Sequence, residues 1–388
     1  MEGDFIKINE WLTPLSWFYG LGVEVRNLLF DMGIRKSRSF KTPVISIGNI
    51  TVGGTGKTPH VEYLVRLLQD RLRVAVLSRG YKRKSRGFII ADDATIMSDI
   101  GDEPYQMHKK FPKVTIAVDR KRVHGINRLT DNDSKGSNID VVLLDDAFQH
   151  RQVKPGINIL LVDYHRLVIY DKLLPAGRLR EPLKGKNRAD IVIVTKCPKD
   201  LKPMEFRVIT KAMNLYPYQQ LFFSTLDYDE PVPVFKDSKK NLKGLKDVNI
   251  LLLTGIASPR QLTEDLTPQA KSITPLTFAD HHQFSKKDVR LINSTFADMP
   301  SPKHIITTEK DAARLQATDG LSDEVRQHLS MIPLRISFLL DQEEDFNKHI
   351  LGYVQKNARR HIAAKAKVEH KAKNGQKDTQ RPQTIKFK

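Results

Sequence analysis

The sequence predicts an α/β fold: a mainly parallel sheet carrying a phosphate-binding loop, followed by a second, smaller α/β lobe. Three observations carry this expectation. Apolar runs at 44–47, 73–77, 114–118, 140–144, 157–163 and 191–195 alternate with helical stretches or loops. A glycine-rich segment follows the first run and leads into an apolar stripe at helical spacing. Four more apolar runs, Ile250–Leu253, Ile273–Phe278, Ile305–Thr308 and Leu334–Phe338, lie beyond a Pro, Lys, Asp and Gly-rich stretch. At 388 residues the chain has room for two or three domains. The expected divisions are an N-terminal segment 1–40, a core domain 41–225, a linker or hairpin 226–247, a smaller lobe 248–354 and a basic tail 355–388.

The first forty residues hold both tryptophans, Trp11 and Trp17, within an uncharged run of thirteen residues from Trp11 to Val23. A bilayer span needs about 20 apolar residues, so this run is too short to cross. Leu15, Phe18, Val25 and Leu29 recur near helical spacing, and Arg35, Lys36, Arg38 and Lys41 follow. The segment reads either as an amphipathic helix lying in a headgroup region or as a helix packed on the protein's own core. The start, Met1-Glu2-Gly3-Asp4, lacks the pattern of a secretory signal, and a lone Cys197 excludes an internal disulfide framework; both fit a cytoplasmic setting.

Pro43-Val44-Ile45-Ser46-Ile47 reads as a buried strand, followed by Gly48-Asn49-Ile50-Thr51-Val52-Gly53-Gly54-Thr55-Gly56-Lys57-Thr58. Pro59 then sits where an early helical turn tolerates proline, and Val61, Leu64, Val65 and Leu68 form the core-facing stripe. In such an arrangement the residues from Thr51 through Val52, Gly53, Gly54, Thr55 and Gly56 wrap backbone N–H groups around phosphate oxygens. Lys57 reaches the terminal phosphates, and the Thr58 hydroxyl faces magnesium. The loop is a variant of the Walker A pattern, because Thr51 stands where a first glycine is usual. The fold class is therefore P-loop NTPase-like.

A second component is expected at the end of a buried strand, and Asp140-Val141-Val142-Leu143-Leu144-Asp145-Asp146 supplies it; Asp145 is taken for the metal and Asp146 for the catalytic carboxylates, although spacing alone does not say which aspartate meets the metal. The strand ending Thr195-Lys196-Cys197-Pro198 has proline where a guanine-recognising aspartate belongs, which favours ATP as the nucleotide.

The net charge is +19, from 64 Lys plus Arg against 45 Asp plus Glu. The tail 355–388 carries eleven basic and two acidic residues, +9 of that excess. It lacks the apolar periodicity of a folded element and reads as a mobile arm. It also lacks the interleaved aromatics of a single-strand binder, so no nucleic-acid partner is expected.

Beyond the loop, further motifs recur in order: Ser78-Arg79-Gly80-Tyr81, Gly101-Asp102-Glu103-Pro104, Asp145-Asp146-Ala147-Phe148-Gln149-His150, Leu173 through Pro182, Phe278-Ala279-Asp280-His281-His282 and Thr307-Thr308-Glu309-Lys310-Asp311. Together they resemble the tetraacyldisaccharide 4'-kinase (lipid A 4'-kinase) family over about residues 10–350, with the basic tail outside the pattern. The resemblance implies ATP-dependent phosphorylation of the 4'-hydroxyl of tetraacyldisaccharide 1-phosphate, giving lipid IVA, with ATP and Mg2+ bound. It implies work at the cytoplasmic face of the bacterial inner membrane, on a lipid A disaccharide precursor and against an anionic membrane surface. The alternative is a membrane-associated P-loop ATPase switch.

Carried onto this chain, Asp102 is the candidate proton acceptor, although Asp102-Glu103-Pro104 also reads as a helix start. His281 assists or orients it, with Asp280 fixing the imidazole. Arg120 and Arg180 are candidate phosphate contacts through their planar guanidinium groups. Arg79 and Tyr81 are candidates for the disaccharide or its phosphate, and His150 and Glu181 complete the substrate set. The oligomeric state is left open.

Overall fold

The structure, a computed structural model, describes residues 8–131, 139–236, 238, 242, 244–256, 259–280 and 282–357. His281 and residues 358–388, nearly all of the basic tail, lie outside the described residues. The chain begins with helix α1 (Thr13–Asp31) and then lays down β1 (Val44–Gly48), α2 (Lys57–Leu68), β2 (Val74–Ser78), β3 (Ile89–Ile90), α3 (Met97–Ile100), α4 (Asp102–Lys110) and β4 (Thr115–Val118). It continues through α5 (Arg122–Thr130), β5 (Val141–Asp145), β6 (Ile157–Asp163), β7 (Ile191–Thr195), α6 (Pro203–Met213) and β8 (Gln220–Tyr228). Next come β9 (Val232–Pro233), β10 (Asn249–Thr254), α7 (Arg260–Leu266), β11 (Ser272–Thr277), α8 (Lys286–Ala297), β12 (Lys303–Thr308), α9 (Glu309–Gln316), α10 (Asp323–His328), β13 (Leu329–Ile332) and β14 (Leu334–Phe338). A last helix, α11, covers residues 343–357.

Two sheets result. Among the described residues the larger has nine strands in the order β14-β8-β7-β6-β1-β5-β2-β4-β3, and the smaller has five, β11-β10-β12-β13-β9. Among these strands only the edge pairs β14·β8, β3·β4 and β13·β9 are antiparallel. Central strands such as β1, β2, β5 and β7 are buried along their whole length, as strands covered on both faces must be. Helix α2 shows why the sequence folds here as it does. Val61, Leu64, Val65 and Leu68 are all at most 1% exposed and join the core beneath β1 and β5. Each such side chain contributes roughly 1.5–3 kcal/mol of burial.

Strand β1 lies between β5 and β6, with Ile47 in register with Asp145. The chain leaves β1 towards β2 on one side, while β6 pairs on the other. Such a switch in winding direction opens a crevice at the carboxyl ends of the strands, where the glycine loop and Asp145 emerge side by side.

Two features of the sequence reading change. Leu334–Phe338 was expected in the smaller lobe, but as β14 it pairs antiparallel with β8 of the larger sheet. Helix α11 follows it and sends Phe346, Ile350 and Val354 into the same core as α2. A short apolar strand looks alike in either sheet; what decides is the hydrophobic surface that α2 and β8 leave open. The stretch expected as a linker starts inside β8, which runs to Tyr228, and contains β9, an edge strand of the smaller sheet. The two sheets are thus joined by two crossings, one between β8 and β9 and one between β13 and β14.

Helix α1 docks with its polar and small residues. The Ser16 hydroxyl donates to the Leu173 carbonyl at 3.0 Å and accepts from the Ala176 N–H at 3.0 Å. Tyr19 donates to the Arg180 carbonyl at 2.7 Å, and Arg26 to the Gln149 carbonyl at 2.6 Å. A Cβ on Gly20 would come within 2.8 Å of Leu173 Cδ1, so glycine permits the close approach. Large apolar residues of its first half face outward: Trp17 and Phe18 are 73% and 75% exposed, and Trp11, just before the helix, is 93% exposed, whereas Phe30 near its end is buried. Among the described residues no helix is long and apolar enough to cross a membrane.

Candidate active site

The glycine loop is held by side chains on both flanks. Asn49 donates to the Thr55 hydroxyl at 2.9 Å, and Thr195, at the end of β7, donates to the Thr55 carbonyl at 3.0 Å. Thr51 bridges to Leu179, and the Val52 N–H donates to the Arg178 carbonyl at 2.8 Å. This explains the departure from the usual glycine pattern. Thr51 is buried in an extended bridge, and the positive φ values fall at Gly53 (+123°) and Gly56 (+80°), where glycine is present. Gly56 caps α2, so Lys57 and Thr58 form its first turn, with the helix N-terminus aimed at the loop.

Lys57 Nζ lies 3.7 Å from the Asp146 carboxylate, and Arg180 reaches the same carboxylate at 3.5 Å. Asp146 follows β5 directly and takes a left-handed backbone, φ +47°, uncommon for a residue other than glycine. Asp145 is buried, and its Oδ1 has no hydrogen-bond partner among the described residues. Burial, with the negative charges of Glu103 and Asp146 nearby, raises its pKa well above the usual carboxylate range. A buried carboxylate oxygen without a partner next to a phosphate loop is the chemistry expected of a cation ligand. Among the described residues there is no group of three or more acidic, His or Cys ligands.

A cavity of about 220 Å3 opens between the two lobes, lined by loop residues Gly54 to Thr58, by Glu103 of α4, and by Asp280, Glu309 and Lys310 of the smaller lobe. Asp102 and Glu103 begin α4 behind Gly101, whose φ is +91°. Gly101 rather than Asp102 occupies the capping position, and the Asp102 carboxylate instead meets Arg314 of α9 at 2.9 Å. Glu103 accepts from Lys310 at 2.6 Å, and Lys110 bridges Glu62 and Glu309 at 2.7 and 2.6 Å.

Asp280 is exposed at the cavity; burial lowers the pKa of Lys310, but the charge and hydrogen bond of Glu103, and after them the charge of Asp280, raise it on balance. The neighbouring His282 is occupied elsewhere: it stacks on Phe278 and pairs with Asp288 at 2.9 Å, at the start of α8.

A second cavity, of about 770 Å3, is lined by Arg79, Tyr81 and Arg120 together with Arg83, Asp119 and His124. Arg122, absent from the sequence reading, lies buried between this cavity and the carboxylates. It donates to the Asp119 carbonyl at 2.6 Å and the Asp145 carbonyl at 3.0 Å. His150 is kept neutral: burial and the charges of Arg122, Arg26 and Arg79 lower its pKa to about 4. Glu181 is buried, paired with Arg188 at 2.7 Å and accepting from Gln149 at 3.1 Å.

The structure therefore brings the loop, Asp145, Asp146 and Arg180 together and lines the same cavity with Glu103, while the adjacent Asp102 pairs with Arg314 of the smaller lobe. Arg79, Tyr81 and Arg120 form a separate wall. Glu103, Lys310 and Arg314 were missed because the partners that tie the two lobes together are distant in sequence, and Arg122 because its bond to the Asp145 carbonyl comes from another strand. Glu103 and Lys310 did lie inside motifs that the sequence displayed without a role.

A family model described as tetraacyldisaccharide-1-P 4'-kinase matches residues 8–355. The tetraacyldisaccharide 4'-kinase of Phocaeicola vulgatus is 58% identical over 362 residues, covering 92% of this chain and 99% of that protein. The protein of the same name from Bacteroides thetaiotaomicron is 54% identical over 369 residues, covering 92% and 97%. Among solved structures, LpxK from Aquifex aeolicus in complex with ATP, described as an "apo" form, is 30% identical with a TM-score of 0.67, covering 89% of this chain and 99% of its own. The chain belongs to the tetraacyldisaccharide-1-P 4'-kinase family.

Proposed function

We propose that this protein transfers the γ-phosphoryl group of ATP to the 4'-hydroxyl of a tetraacyldisaccharide 1-phosphate, forming lipid IVA and ADP. Identity of 58% across nearly the full length of a tetraacyldisaccharide 4'-kinase carries this reading. The pairing of a phosphate loop with an open, arginine-lined cavity supports it.

In the mechanism, backbone N–H groups from Gly53 to Gly56 hold the phosphates, Thr51 and Val52, expected among them, being engaged instead with Leu179 and the Arg178 carbonyl, and Lys57 and Arg180 neutralise charge as it spreads over the transferred group. Thr58 and Asp145 are the residues that would hold magnesium, which when bound neutralises phosphate charge. Asp102 accepts the proton of the 4'-hydroxyl as its oxygen bonds to the γ-phosphorus and the bond to the ADP oxygen breaks. Asp280 and His281 assist from the smaller lobe, and Asp146 holds Lys57 and Arg180 in place. Arg79, Tyr81 and Arg120 receive the acceptor's anionic and sugar groups, with His150 beside Arg79; Glu181, expected among the substrate contacts, is buried against Gln149 and Arg188 instead. The two crossings between the sheets act as a hinge over ATP.

Helix α1 lies in the headgroup layer of the cytoplasmic leaflet of the inner membrane. Its polar side is spent on docking while Trp11, Trp17 and Phe18 stay exposed, the arrangement that suits an interfacial helix. The acceptor then need not leave the bilayer.

The test is ATP labelled at the γ-phosphate, offered with and without the lipid disaccharide. Label on the lipid supports the kinase. Hydrolysis of ATP at the same rate with or without acceptor, and no labelled lipid, replaces it with an ATPase switch.

A further inference from the structure

The motif Thr307-Thr308-Glu309-Lys310-Asp311 opens α9, and the mechanism above gives it no task. Its structural role is to anchor a buried arginine one turn later. Arg314 has a side chain only 1% exposed and is held at both ends: one guanidinium nitrogen lies 2.9 Å from Asp311 Oδ1, the other 2.9 Å from Asp102 Oδ2. Asp311 is itself fully buried and fixed, accepting from the Gly255 N–H at 2.9 Å and the Thr308 hydroxyl at 2.7 Å. The smaller lobe thus presents the guanidinium from a rigid corner where β12 meets α9.

At the other end Asp102 has little freedom of its own. It follows Gly101, where a Cβ would come within 2.6 Å of the Tyr81 carbonyl and the backbone is left-handed. The backbone at the start of α4 is therefore set by the larger lobe, while the direction of the carboxylate is set by the smaller one. A buried ion pair is a weak source of stability, since desolvation offsets most of the attraction, but it fixes geometry. Arginine suits the position because its planar fork can meet two carboxylates at once, which a lysine ammonium does less well.

We propose that Arg314 is a positioning residue for phosphoryl transfer, fixing the Asp102 carboxylate from the smaller lobe so that proton acceptance depends on how the lobes sit. The proposal rests on the reading of Asp102 as the proton acceptor.

The experiment measures kcat, KM for ATP and Tm for the full-length enzyme and its Arg314→Gln, Arg314→Lys, Asp102→Asn and Asp102→Asn/Arg314→Gln variants. Arg314→Gln is expected to lower kcat about 30-fold or more while KM for ATP stays within about threefold. Arg314→Lys should fall between Arg314→Gln and the native enzyme. In the Asp102→Asn background, Arg314→Gln should change kcat by less than about twofold, because the group it positions is gone.

A native kcat in folded Arg314→Gln overturns the proposal, as does an undiminished effect in the Asp102→Asn background. Should Arg314→Gln fail to fold through the loss of Asp311's partner, Arg314→Lys decides, and an unchanged kcat there overturns it. A native kcat in Asp102→Asn removes the proton-acceptor reading and this proposal with it. Loss in Asp102→Asn beside a native kcat in Arg314→Gln removes the Arg314 role alone.

Discussion

The glycine loop and the face across the cavity from it are built differently. The loop is assembled from neighbours in the chain or on adjoining strands: Asn49 holds Thr55, Gly56 caps α2, and Thr195 reaches over from β7. The opposite face is assembled from partners two hundred residues apart, as in Asp102 with Arg314 and Glu103 with Lys310. The first arrangement preorganises backbone donors that would serve any nucleotide phosphate. The second makes the carboxylates depend on the position of the other lobe. On the proposed mechanism, holding the nucleotide and accepting the proton fall to regions that mutation can separate.

The largest separation is expected inside the loop. Lys57→Ala should reduce acceptor phosphorylation about 10^3-fold, comparable to losing a principal transition-state contact, and should also weaken ATP binding. A variant with native ATP affinity would place Lys57 outside the ground-state phosphate site.

Asp145→Asn sharpens the contrast between activity and stability. Turnover should fall about 100-fold, while the protein without nucleotide and metal becomes more stable. The sign follows from the raised pKa of this carboxyl. A carboxyl whose folded pKa lies above its unfolded value loses stability as pH rises through the folded value. The advantage of asparagine should therefore grow between about pH 4 and neutrality, visible as a Tm difference that widens with pH. A Tm difference that stays constant over that range would contradict the burial argument.

Trp17→Ser/Phe18→Ser should lower binding to anionic vesicles about tenfold and leave Tm within about two degrees, because neither ring is packed on the protein. A large loss of Tm would mean that the helix uses these rings for its own core.

The smallest effect is expected at the cap of α2. Gly56→Ala meets no nearby backbone but forces alanine into a left-handed conformation. It should cost about 1 kcal/mol of stability and weaken ATP several-fold, read by thermal melting and nucleotide titration.

What could be read in the sequence follows the same division. The loop was legible because its parts are contiguous and each residue type has a reason at its place, and Asp145 because an apolar strand ends on it. The alternating apolar runs of β1, β2, β4, β5, β6 and β7 gave the larger sheet for the same local reason. Strand β14 was assigned to the wrong sheet because its burial, seen in Ile336 and Phe338, depends on Tyr63 and Phe222 from far earlier in the chain. Arg314 and Arg122 carried no local mark: an arginine among helical residues reads as solvated until the fold supplies its carboxylates or carbonyls. His282, which shares a motif with His281, shows no sign in the sequence that Asp288 and Phe278 occupy it.

The most direct test of the division between holding and chemistry is to measure ATP affinity and turnover on one preparation of Asp102→Ala. The account predicts a dissociation constant within about threefold of native and a turnover lower by about 100-fold or more. Equal losses in both would contradict it, because Asp102 would then only support the fold of the nucleotide site.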